Sequence, residues 1–102
     1  LSLAQQAYKL APTTPYVAAT YGEILTKQGE PKQAVVVLKK AMELTPTNYN
    51  IQYYLANAYL SNKKNDFAIK ILSRILSTEQ NFSKKQAAEY LLKKLKVEKF
   101  NL

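Results

Sequence analysis

Apolar side chains recur along this chain every three or four positions, which is the spacing of one face of an α-helix. Pro15 stands where helices favour proline, in the first turn, and Gly29 ends the helix that begins there. Pro31 opens a second helix, and Pro46 closes it. The apolar spacing is helical throughout. Strands are not predicted, because VVVL is the only run rich in β-branched residues. The apolar faces of the two helices are Val17, Ala18, Tyr21, Gly22 and Leu25, then Ala34, Val35, Leu38, Ala41 and Met42.

The same helix pair occurs again 34 residues later, since AYKLAPTT at 7–14 corresponds to AMELTPTN at 41–48. Superposing the two pairs at this offset needs no gap. It aligns Tyr21 with Leu55, Gly22 with Ala56, Leu25 with Tyr59, Ala34 with Ala68, and Leu38 with Leu72. The chain is therefore predicted to contain the second helix of a truncated repeat (1–12), a repeat (15–48), a second repeat (49–82) and a closing helix (83–97).

The closing stretch SKKQAAEYLLKKLKVEKFNL predicts a solitary helix that is capped at Ser83. One side is apolar, and the other side is rich in lysine. The end of a repeat array must be covered, and a helix with one polar face does this. Solubility alone therefore explains the basic face. The apolar side is Ala88, Leu91, Leu92 and Leu95, and the basic side is Lys85, Lys93, Lys94 and Lys96.

The order of large and small residues resembles the tetratricopeptide repeat signature. The residues that carry the resemblance are Tyr21, Gly22, Leu25, Ala34, Leu38, Ala41 and Pro46, then Leu55, Ala56, Tyr59, Ala68 and Leu72. The second unit departs from the signature at Ile75, where a small residue is usual, and at Gln80, where a proline is usual. An aromatic residue is frequent near the start of the first helix, but Ala18 and Gln52 stand there.

This resemblance implies an all-α fold that forms a single domain over residues 1–102. The fold would be a right-handed superhelical stack of antiparallel helix pairs with a C-terminal capping helix. The small residues allow the two helices of a pair to approach closely. We expect Gly22 to face Ala34, and Ala56 to face Ala68, because a bulky side chain would force the helices apart.

The resemblance also implies that the first helix of each unit lines a concave groove, which receives an extended or helical peptide and performs no chemistry. We expect Tyr53 to face this groove and Tyr54 to pack between helices. The Asn57 amide is able to donate to and accept from a peptide backbone. The positions that the family pattern places in the groove are Tyr16, Ala19, Glu23 and Thr26, then Asn50, Tyr53, Asn57 and Leu60, and finally, in a slipped repeat register that puts the apolar side of the last helix on core positions, Gln86, Glu89, Lys93 and Lys96.

One subclass of the family holds the carboxylate tail of chaperones with a clamp of Lys, Asn and Arg side chains. The matching positions in this chain are Ala19, Glu23 and Tyr54. Glu23 would repel the carboxylate that the clamp must hold. A chaperone adaptor role is therefore not expected.

The net charge of +8 raises nucleic acid or an anionic surface as a partner. Fourteen of the 15 basic residues are Lys, whereas sites that grip phosphate or read bases lean on Arg. The leading prediction is a scaffold that binds a protein or peptide of unknown identity. The alternative is binding of RNA or an anionic surface through the Lys-rich C-terminal face.

Cysteine and histidine are both absent, which removes disulfides, thiolate nucleophiles, imidazole bases and the usual zinc ligands. No pair of carboxylates stands out as a catalytic constellation. We therefore expect no enzyme, no cofactor and no metal site.

No apolar run approaches the roughly 20 residues that cross a bilayer, and no signal peptide is recognisable. The sequence starts without Met in mid-pattern, which predicts that it is part of a longer chain. A weaker resemblance to the ends of long bacterial repeat proteins, some of them envelope lipoproteins linked to polysaccharide export, favours a cell envelope or periplasmic location. The first helix lacks a partner for Leu3, Ala7 and Leu10, so we expect self-association through it.

Overall fold

The computed structural model describes the backbone of residues 2–100 and the side chains of residues 2–99. Within this range the chain forms six α-helices and no strand, so the predicted all-α fold is confirmed. The helices are α1 (Leu3–Leu10), α2 (Pro15–Lys27), α3 (Pro31–Leu44), α4 (Tyr49–Ser61), α5 (Asn65–Leu76) and α6 (Lys85–Phe100).

Each helix packs against the next one in the chain, and α4 also packs against α2. The pairs α2–α3 and α4–α5 therefore stack side by side, with their first helices adjacent. Between them lies a core of aliphatic and alanine side chains. Its members with no exposed surface include Ala34, Leu38, Ala56, Ala68 and Leu72.

The two pairs turn in the same way. After α2, Gly29 has a φ of +81°, and the Glu30 amide donates a 2.8 Å hydrogen bond to the Leu25 carbonyl. After α4, Lys63 has a φ of +60°, and the Lys64 amide donates a 2.8 Å bond to the Tyr59 carbonyl. A left-handed residue after the helix end is the usual way to close this turn, and glycine adopts it without strain.

Close packing within the first pair depends on Gly22. The side chain nearest to Gly22 is Leu38 of α3. A methyl group added to Gly22 would overlap three carbons of that leucine. The pair therefore packs closely because a leucine of α3 lies directly against a glycine of α2.

The last helix begins later than the sequence predicts. The Asn50 side-chain oxygen accepts a 3.0 Å hydrogen bond from the Lys84 amide, and the Ala88 amide donates to the Lys84 carbonyl at 2.8 Å. The first intrahelical bond therefore starts at Lys84 rather than at Ser83. Helix α6 packs against α5, and it extends to Phe100 rather than ending at residue 97.

Candidate functional site

Two adjoining hollows follow the surface formed by α2, α4 and the segment that enters α6. The first hollow encloses about 430 Å³ and the second about 590 Å³. Glu23, Tyr54 and Lys84 line both, so the two hollows form one continuous depression, which we call the groove. The first hollow is also lined by Thr26, Lys27, Tyr53, Asn57, Leu60 and Ser61, and the second by Thr14, Pro15, Tyr16, Ala19, Thr20, Asn48, Asn50, Ile51 and Ser83.

Eight of the twelve positions expected to line the groove do line this depression, and the four positions on α6 do not. Of those four, Lys93 borders two separate hollows beside Tyr90 and Leu92. The eight are Tyr16, Ala19, Glu23, Thr26, Asn50, Tyr53, Asn57 and Leu60, and the four are Gln86, Glu89, Lys93 and Lys96.

Two tyrosines of α4 form the aromatic wall of the groove. The ring centroids of Tyr53 and Tyr54 are 5.7 Å apart, with the planes inclined at 62°. Both side chains are half-buried, and both line the first hollow. Both rings pack against the hydrophobic core, and Tyr54 also lines the second hollow, so the two rings contribute together to the surface.

The family model for the tetratricopeptide repeat matches residues 25–95, well over half of the chain. This chain is a tetratricopeptide repeat protein. The matched region runs from the last turn of α2 into α6 and includes the whole of α4, which supplies much of the groove. Repeats of this family form non-catalytic scaffolds that generally mediate protein–protein interactions. No curated protein matches the chain.

Lys84 is a groove residue of this repeat protein that the sequence interpretation missed. Its ammonium lies 5.7 Å from the ring centroid of Tyr54, a distance at which a cation and an aromatic face attract each other. Tyr16, Asn50 and Lys84 follow one another at intervals of 34 residues. The 34-residue period, continued without a slip, therefore points to Lys84. The apolar side of α6 instead favoured a slipped register, which leads to Lys93.

The charged groups of the groove are only partly balanced. Glu23 and Lys27 form an ion pair of 3.4 Å along one face of α2. Lys84 makes no ion pair with a carboxylate in the part of the chain that the structure describes. The groove therefore keeps one net positive charge, carried close to the Tyr54 ring.

Among residues 2–99 there is no group of three or more His, Cys, Asp or Glu side chains that could hold a metal ion. Over the same described residues, no helix combines the length and the apolar character required to cross a membrane.

Proposed function

We propose that the groove binds a peptide segment of a partner protein. The observation that carries the proposal is the continuity of the groove, which joins side chains of α2 and α4, the first helices of the two stacked pairs, with Lys84. The general role of tetratricopeptide repeats in protein–protein interaction supports it.

The chemistry of the groove fits a peptide. Tyr53 and Tyr54 offer rigid aromatic area of the kind that anchors interfaces. The Asn57 amide, which makes no hydrogen bond to another described residue, is free to bond a peptide backbone. The neighbouring Leu60 supplies an apolar contact.

The test is capture from an extract of the source organism with two double variants of the chain. The groove variant carries Tyr53→Ala and Asn57→Ala, and the matched control carries Tyr90→Ala and Lys94→Ala on the outer face of α6. Each capture is repeated after nuclease treatment and across a salt series. We expect one discrete protein that survives nuclease, is lost with the groove variant and is kept with the control.

Two outcomes would reject this function. Loss of the captured protein with the α6 variant alone would place binding on the basic C-terminal face. Recovery of nucleic acid, with binding that falls steeply as salt rises, would indicate a phosphate partner instead of a peptide.

We also propose that the chain self-associates through α1. Leu3 and Leu10 are 84% and 87% exposed, and Ala7 is exposed on the same side of the helix. These three residues, which we call the α1 stripe, offer apolar surface that a second copy would cover.

The cell envelope or periplasmic location, which the weaker resemblance to envelope lipoproteins linked to polysaccharide export favours, stays a prediction. Fractionating cells of the source organism and locating the full-length protein with an antibody tests this location. Recovery of the protein in the cytoplasmic fraction would contradict it.

A further inference from the structure

One lysine supplies the uncompensated charge of the groove. The Lys84 amide donates a 3.0 Å hydrogen bond to the Asn50 side-chain oxygen, and the Lys84 ammonium lies 5.7 Å from the ring centroid of Tyr54. The half-buried lysine is therefore held both at its backbone and at its charged end. Its ammonium has no carboxylate partner among the described residues, so the charge stands unpaired against the tyrosine wall.

The remaining polar groups of the groove set no preference of their own. Glu23 is the one carboxylate of the described residues that lines the groove, and the Lys27 ammonium lies 3.4 Å from it. Amide and hydroxyl groups of the lining, such as those of Asn57 and Tyr53, both donate and accept hydrogen bonds, so they suit the backbone of any peptide. Lys84 is thus the group that distinguishes one peptide from another by charge.

We propose that the groove prefers a peptide that places an Asp or Glu side chain beside Lys84. The inference rests on the proposed function of the groove as a peptide site. A peptide that covers the Lys84 ammonium removes water from it, and an unpaired charge that loses its water is destabilising. A carboxylate at this point replaces the lost water with a charge-assisted hydrogen bond, whereas a Lys or Arg side chain would be repelled.

The surroundings of Lys84 indicate what accompanies the acidic residue. Because the ammonium lies over the Tyr54 ring, a side chain that reaches it brings its neighbours in the peptide towards the rings of Tyr53 and Tyr54. Leu60 continues the apolar surface along the first hollow, so we expect an apolar or aromatic residue close to the acidic one. The arrangement differs from the chaperone clamp, because the carboxylate belongs to an internal side chain and lies beside Lys84 rather than at the clamp position of Glu23.

The experiment is a selection of short random peptides displayed on phage, with sequencing of the bound peptides. The unmodified chain is compared with Lys84→Gln, which removes the charge, and with Lys84→Glu, which reverses it. We expect the unmodified chain to enrich Asp and Glu and Lys84→Gln to lose this enrichment. Lys84→Glu should enrich Lys and Arg instead.

The net charge of +8 attracts acidic peptides to the whole molecule, so a control outside the groove is needed. Lys94→Glu on the exposed side of α6 changes the net charge by the same amount as Lys84→Glu, and it should leave the acidic enrichment unchanged. One selected acidic peptide is then titrated into each variant. We expect its affinity to fall about fivefold with Lys84→Gln and at least about tenfold with Lys84→Glu. Thermal unfolding verifies that each variant is folded.

The inference is overturned if the bound peptides carry no excess of Asp and Glu, if Lys84→Glu keeps the acidic preference, or if Lys94→Glu removes that preference to the same extent. The proposed function is judged separately. Peptides that are lost with the Tyr53→Ala and Asn57→Ala variant but show no acidic excess would keep the peptide groove and remove its charge preference. Acidic peptides that bind this variant as tightly as the unmodified chain would reject both.

Discussion

Arg74 of α5 donates a 2.9 Å hydrogen bond to the side-chain oxygen of Gln52 on α4. Gln52 is only 4% exposed, and its amide nitrogen donates a 2.7 Å bond to the Pro46 carbonyl. One buried glutamine of α4 therefore joins the linker between α3 and α4 to helix α5. It does so at a position where tetratricopeptide repeats frequently have an aromatic residue.

Replacing this glutamine should destabilise the junction between the repeats. We expect Gln52→Ala to lower the free energy of unfolding by about 1–3 kcal/mol, because the Pro46 carbonyl and the Arg74 guanidinium both lose their partner. Urea denaturation measures the change. The control is Gln33→Ala on the exposed side of α3, with an expected effect within about 0.5 kcal/mol. Equal effects of the two substitutions would show that the buried bonds contribute nothing.

Gly22→Ala should also be destabilising, by about 1–3 kcal/mol, because the added methyl group overlaps the Leu38 side chain. Leu38→Ala alone should cost about 2–5 kcal/mol, since it leaves a cavity in the core. In the double variant the new methyl group occupies part of that cavity. We therefore expect a double-mutant cycle to give a combined cost smaller than the sum. Additive costs would mean that the two side chains do not meet.

Lys63 offers a stabilising substitution. Its φ of +60° is a left-handed conformation that strains L-residues by roughly 1–2 kcal/mol, and Gly29 adopts the same conformation in the preceding repeat. Glycine loses more entropy on folding, so we expect Lys63→Gly to raise the free energy of unfolding by about 0.5–1 kcal/mol. The reciprocal Gly29→Lys should lower it. A loss of stability for Lys63→Gly would refute the strain at this turn.

The start of α6 should depend on Asn50. We expect Asn50→Ala to cost about 0.5–1.5 kcal/mol, because the Lys84 amide loses the acceptor that holds it 3.0 Å away. Amide hydrogen exchange over the first turn of α6 should accelerate with it. Asn57→Ala is the matched control, since it removes a half-buried asparagine that makes no bond to another described residue. Unchanged exchange in the Asn50 variant would contradict the anchoring role.

Much of the fold follows from the sequence, because the helix contacts repeat with the 34-residue period. Small residues recur where helices meet, and the periodicity alone indicates the two stacked pairs. The contact between Gln52 and Arg74 has no such signal. One repeat earlier the corresponding residues are Ala18 and Lys40, which cannot form the same bond. A hydrogen bond that occurs in only one of the two repeats cannot be predicted from the pattern that the repeats share.

The groove follows from the sequence to a different extent in each helix. The lining contributed by α2 and α4 could be placed from the repeat register, because both helices keep the period. The segment that enters α6 and the helix itself follow different registers. Lys84 keeps the period, since Asn50 holds its amide, whereas the apolar residues of α6 are displaced along the helix. The sequence interpretation followed those apolar residues, so it selected Lys93 and missed Lys84.

The α1 stripe leads to a prediction about solution behaviour. We expect the chain to self-associate at high concentration, and Leu3→Gln with Leu10→Gln to weaken that association at least about tenfold, because each leucine offers roughly 1.5–3 kcal/mol of burial. The control pair is Val36→Gln with Leu44→Gln, which removes two exposed apolar residues of α3. Sedimentation equilibrium measures the dissociation constants. A monomeric unmodified chain at high concentration, or an equal loss with the control pair, would exclude the α1 stripe as the contact.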